Sequence, residues 1–148
     1  MKSFQFPLQR VLDWRALHAR TEEEKLARLQ YQLATLVHRE NSLIAAELKS
    51  ELGLLNQPSI AGRELQALAS FQLKINSERA SLKASRAVCE AQIVEQRKRV
   101  VLARRDCRAL EKLKDKRWRT WVYLSDREVE ETAAENYISR WARSDNER

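Results

Sequence analysis

Glycine and proline are almost absent from this sequence: two of each among 148 residues, a third of which are charged. A fold of many short strands needs turn residues at every reversal, so this supply excludes sandwiches and barrels. Cysteine and histidine are equally scarce, two of each. Cys89 and Cys107 sit on one expected helix about 27 Å apart, too far to pair within the chain. They read as small apolar seam residues in a reducing compartment. His18 and His38 lie about 30 Å apart on another helix and cannot share a metal. No apolar run approaches the roughly 20 residues that cross a bilayer, and the opening Met1-Lys2-Ser3-Phe4 lacks the apolar segment of a secretory leader. The expectation is a cytosolic chain without membrane insertion. There is no Gly-x-x-x-x-Gly-Lys loop, Cys-x-x-Cys pair or Gly-x-Ser-x-Gly elbow. With no concave polar site in view, the sequence implies no enzyme, no catalytic residue, no cofactor and no metal ligand. Glu22-Glu23-Glu24 reads as a solvated face.

What is abundant is alanine, leucine, glutamate, lysine, arginine and glutamine, the residues that lose least on entering a helix. Both glycines and Pro58 fall between positions 53 and 62, which marks one reversal. Pro58 biases Gln57 away from helix, Gly53 or Asn56 can close the first helix, and Ser59 can cap the second. Pro7 suits a first helical position. The expected organisation is one domain over 1–148: helix one over about 7–56, a turn over about 53–62, helix two over about 62–124. A break near 125 is expected from the capping-box spacing Ser125-Asp126-Arg127-Glu128, followed by a helical tail over about 126–143. Val129, Ala133, Tyr137 and Trp141 recur there at four-residue steps, an amphipathic stripe with acidic flanks suited to docking.

Heptad spacing then defines the fold. In helix one Leu8, Leu12, Ala19, Leu26, Leu29, Leu33, Leu36 and Leu43 alternate three and four residue steps, interrupted by Arg15, Glu22 and Glu40. Beyond Leu43 the leucines suggest a slipped phase through Ile44, Leu48, Leu52 and Leu55. Helix two holds one register through Leu65, Leu68, Ile75, Leu82, Cys89, Ile93, Val100, Ala103, Cys107 and Leu110, with Gln72, Arg79, Arg86 and Gln96 as polar layers. Two such stripes joined by a short turn predict an all-α, long antiparallel two-helix coiled-coil hairpin, its second helix longer and overhanging at the open end. A single unbroken helix in a parallel dimer is the competing arrangement, disfavoured by Pro58. Two helices alone leave each seam residue partly wet, while ordering each backbone unit costs on the order of 1–2 kcal/mol. A partner that covers one face is therefore expected.

A turn centred near Gln57 opposes position i to roughly 115 minus i. Leu12 then faces Ala103, Phe4 faces Glu111, and everything after about Lys112 lacks a partner helix. Phe4, Phe6, Leu8 and Leu12 are expected to pack on Leu110 and Leu113 and hold the open end together. The charge is concentrated there too. Positions 96–119 hold 11 basic and 3 acidic side chains, whereas 120–148 hold 4 and 7, so one stretch carries more than the whole net charge of +7. Arg97, Arg104, Arg105, Arg108, Lys112, Lys116 and Arg119 read as pointing around several faces. Three roles fit them: a solvated flank, a sequence-independent grip on nucleic-acid phosphates, or a surface for an acidic protein. The nucleic-acid role lacks the glycine-rich loop, zinc spacing or base-reading asparagine of known modules. Trp118 and Trp121, with Tyr123 and Leu124, favour a protein partner, since tryptophan with arginine is a frequent interface anchor. A local contact of these rings with Phe4 and Phe6 is the other possibility.

Two motifs carry a resemblance. The opening Phe4-Gln5-Phe6-Pro7-Leu8-Gln9-Arg10-Val11-Leu12-Asp13-Trp14-Arg15 and the run Arg108-Ala109-Leu110-Glu111-Lys112-Leu113-Lys114-Asp115-Lys116-Arg117 resemble the FliJ family of flagellar export proteins, and more distantly the stalk proteins of injectisome type III secretion. The specific motifs cover about a sixth of the chain. Trp118 and Trp121 are more aromatic than the family pattern, and the tail after Ser125 matches it only loosely. The resemblance implies a cytoplasmic, non-enzymatic stalk at the flagellar base, peripheral to the inner membrane, that binds the hexameric flagellar ATPase, contacts the membrane export gate and escorts export chaperones. It implies that the open end, with Arg104, Arg105, Arg108, Lys112, Lys116, Arg117, Trp118, Arg119 and Trp121, faces the ATPase, while the turn faces the gate. A basic nucleic-acid-binding coil and a homodimeric scaffold are the alternatives.

Overall fold

The computed structural model describes residues 3–145, without the side chains of Ala142, Ser144 and Asp145. Two helices account for nearly all of it, α1 over Gln9–Leu55 and α2 over Gly62–Asp145. They pack against each other as a helical hairpin, all-α, with α2 much the longer. α1 begins two residues after Pro7, where the Gln9 amide donates to the Phe6 carbonyl at 3.0 Å.

The reversal uses less special geometry than its glycines and proline suggest. Gly53 lies inside α1, Gly62 opens α2, and no described residue has a positive φ. A Cβ at either glycine would meet nothing within 4 Å, so neither glycine is demanded by sterics. Ser59 does not cap α2. The α2 N-terminus is built on Ala61, whose carbonyl accepts from the Glu64 and Leu65 amides and whose own amide donates to the Glu64 carboxylate at 3.1 Å. Half of a capping box is thus present without its hydroxyl residue. The break expected near Ser125 does not occur, and α2 passes through 125 uninterrupted. Ser125-Asp126-Arg127-Glu128 is compatible with helix interior as well as with a cap, and Arg127 pairs with Glu131 one turn on at 2.8 Å.

The chain divides into two compact units, one formed by Met1–Ala19 with Ala103–Arg148, the other by Arg20–Leu102. Within the second unit the seam keeps the heptad spacing of Leu26, Leu29, Leu33, Leu36, Glu40 and Leu43 beyond Leu43. Glu47, Ser50, Glu51 and Leu54 take the inward positions, so the expected phase slip is overturned. Ile44, Leu48, Leu52 and Leu55 face solvent instead, at 41, 54, 50 and 73% exposure. The polar seam positions are satisfied across the helix pair: Glu47 accepts from Arg79, Glu51 from Gln72 at 2.8 Å, and Glu40 from Arg86 at 3.3 Å. α2 contributes Ile75, Cys89, Ile93 and Val100, all buried, and the Cys89 thiol lies 3.4 Å from the Leu29 carbonyl. Gln96 and Glu22 form a buried polar layer. The pairing runs a few residues further along α2 than a turn at Gln57 gives: Leu29 meets Cys89, and in the other unit Arg15 meets Asp106 at 2.7 Å.

A candidate docking face at the open end

In the unit that holds both termini, Phe6, Leu12 and Cys107 are buried together, with Phe4, Leu8, Leu110 and Leu113 packed against them. All six residues that the sequence assigns to open-end packing thus belong to one cluster. The cluster reaches further than that set. The Phe4 ring meets Trp118 edge-on at 5.2 Å and Trp121 at 6.0 Å, and the two indoles stack on each other at 5.1 Å. The expectation that α2 loses its cover after about Lys112 is therefore corrected. Because the register is displaced, Phe4 lies beside 118–121 and not beside Glu111. Trp118 and Trp121 are partly committed within the chain, although Trp118 keeps about half its surface exposed. Arg117 places its guanidinium 6.0 Å from the Phe6 ring centroid, a cation–π contact that also draws it toward the N-terminal segment.

The other basic residues of the set behave differently. Arg104, Arg105, Arg108, Lys112, Lys116 and Arg119 are all exposed. At 3.6 residues per turn they fall within an arc of about 120°, on the side of α2 away from buried Cys107 and half-buried Leu110. The reading that they point around several faces is thus wrong. They form one cationic face, with Asp115 as an acidic residue in the same arc. The reason lies in the seam: heptad positions 103, 107, 110 and 114 take the inward side, and the remaining spacing leaves the charges opposite. Arg15 reaches from α1 to Asp106 and so occupies a carboxylate next to that face. Close by, Trp14 stacks on His18 at 5.6 Å and carries the Arg15 guanidinium over its ring at 5.1 Å, yet remains exposed. This cluster was not singled out from the sequence, although an outward tryptophan in a heptad is a legible signal.

A second surface was missed for a physical reason. Ile44, Leu48, Leu52 and Leu55 share one outer face of α1 at the turn end of their unit. Leucines in a coil invite assignment to the seam, and here glutamates hold that place.

Two shallow grooves lie in the unit Arg20–Leu102. A shallow groove of about 480 Å³ is lined by Tyr31, Leu36, Val88, Cys89 and Gln92 and carries no charged group. A more polar groove of about 640 Å³ includes Glu40, Arg86 and Glu90, but these pair with one another, and the Glu90 and Glu40 carboxylates hold the Arg86 guanidinium all the more firmly protonated. No group of three or more metal-ligating side chains occurs among the described residues, and none of the described helices is long and apolar enough to cross a membrane. The arrangement suits recognition through surface charge and apolar faces. No protein-family model matches the sequence, and no curated protein or solved structure matches it.

Proposed function

We propose that this chain is a non-enzymatic, stalk-like component of a bacterial flagellar type III export apparatus, which binds the hexameric flagellar ATPase and couples it to the membrane export gate. The observation that carries the reading is the cationic face, Arg104, Arg105, Arg108, Lys112, Lys116 and Arg119, gathered on the side of α2 opposite a cluster that holds the segment from Phe4 to Leu12. Packing of that segment keeps the face on an ordered helix, which lowers the ordering cost of docking. Acidic positions of the ATPase ring are its partner in this reading, and charge complementarity would speed their encounter.

The outward leucines near the turn supply the second contact that coupling requires. Ile44, Leu48 and Leu52 form a contiguous apolar stripe of the kind that marks a protein interface, and the export gate is the partner proposed for it. Escort of export chaperones belongs to the same reading, as does a cytoplasmic location peripheral to the inner membrane. The reading is tested by titrating the ATPase with the wild-type chain and with an Arg105→Glu/Arg108→Glu/Lys112→Glu variant. Binding by the first and loss in the second, at equal far-UV helicity, supports it. Duplex DNA binding with a steep salt slope and no ATPase binding would favour the nucleic-acid alternative.

A further inference from the structure

Beyond Ser125 every described side chain of α2 through Trp141 is exposed. This uncovered length is acidic: positions 126–136 hold five acidic side chains and one basic, whereas 104–119 hold eight basic and three acidic. Both segments lie on one uninterrupted helix, so neither can fold back onto the other. The arc that carries the six basic side chains continues along α2 as Tyr123, Asp126, Glu130, Ala134 and Tyr137, an aromatic and acidic face in line with a cationic one. Tyr123 and Tyr137 leave 66 and 73% of their surface in water.

We propose that a second copy of this chain covers the overhang, the two α2 helices pairing antiparallel about a two-fold axis near Thr120. In that arrangement Asp126 of each copy lies near Lys116 and Lys112 of the other, and Glu130 between Arg108 and Lys112. The pattern repeats on the far side of the axis because the interface is isologous. Tyr123 and Tyr137 then rest on the methylene stems and guanidinium planes of the opposing basic residues. A parallel pair would instead set acid against acid and base against base along the same length, which charge repulsion disfavours. The shared contact over 104–136 runs about 50 Å, ample for a specific helix pair.

This inference goes beyond the proposed function and stands whether or not the ATPase is the partner. It has a regulatory consequence: the dimer covers the cationic face, so an acidic partner and a second copy compete for it.

The test is sedimentation of the full chain at about 50 mM and about 500 mM salt. The expected result is a concentration-dependent mass of twice 17.4 kDa at low salt, with the dissociation constant at least about tenfold weaker at high salt, since exposed pairs are screened. Two variants complete it, Asp126→Lys/Glu130→Lys and Arg108→Glu/Lys112→Glu/Lys116→Glu. Each alone should be monomeric at unchanged helicity, and an equimolar mixture should form a heterodimer, because every reversed contact is matched again. A monomer at all concentrations, a dimer that salt leaves intact, or a mixture that stays monomeric would each overturn the proposal.

Discussion

The side-chain amide of Gln96 donates to both the backbone carbonyl and the carboxylate of Glu22, 74 positions earlier in the chain, inside a seam that is otherwise apolar at that level. Glu22 is only 5% exposed and also pairs with Lys25 one turn on. A polar layer of this kind costs stability compared with leucines but admits only one register.

Glu22→Ala should therefore destabilise by about 1–3 kcal/mol, because the Gln96 amide is left buried with its side-chain acceptor gone. Glu22→Leu/Gln96→Leu should recover most of that loss or exceed wild type, at the expense of a unique pairing. Denaturant unfolding measures the first effect. Broadened amide resonances in the double variant would reveal the second.

Phe6 is nearly buried and Phe4 touches both indoles. Phe6→Ala should cost about 3 kcal/mol, the usual range for a large core aromatic. Phe4→Ala should cost less, yet shift tryptophan emission to longer wavelength as Trp118 and Trp121 lose their cover. Thermal unfolding and fluorescence of the two variants separate these outcomes.

Burial pushes the Cys107 thiol above its ordinary range, and the Glu111 carboxylate, 3.7 Å from Sγ, acts in the same direction. With the folded-state value raised, the thiol's stabilising contribution is complete below the unfolded thiol's range and is lost as pH rises through the folded value. Stability should thus decline in the alkaline range, and less so in Cys107→Ala. Alkylation mapped by mass spectrometry should modify Cys107 much more slowly in the native chain than in denaturant at the same pH.

Leu48 and Leu52 are half exposed despite their position in a leucine-rich coil. Leu48→Lys/Leu52→Lys should leave the melting temperature nearly unchanged, within about 0.5 kcal/mol per site. If this stripe binds the export gate, capture of the gate's cytoplasmic domain should fall sharply with the same variant. A large loss of stability would instead show that these leucines are part of the seam.

Much of the fold was legible because heptad spacing and a single cluster of helix breakers leave few arrangements for a chain so rich in helix formers. Leu12, Ala19, Leu43, Ile75, Cys89, Ile93, Val100, Ala103 and Cys107 are buried at the positions the spacing selects. The errors came where two residue types competed for one role. Near the turn Ile44, Leu48, Leu52 and Leu55 outweigh Glu47 and Glu51 on any hydrophobicity argument, yet the glutamates occupy the seam because Arg79 and Gln72 stand opposite to receive them. That cross-helix match depends on register, and register depends on a turn whose two glycines take ordinary helical geometry. The same displaced register brought Phe4 to Trp118. The gathering of the basic residues on one face was available from helical spacing alone, once the inward positions were known.

The most direct measurement is turnover and assembly of the purified flagellar ATPase at saturating concentrations of this protein. Coupling through the cationic face predicts that the wild-type chain promotes hexamer formation and raises turnover, and that Arg105→Glu/Arg108→Glu/Lys112→Glu does neither. Unchanged assembly and turnover with the wild-type chain, or equal stimulation by the charge-reversed variant, would contradict it.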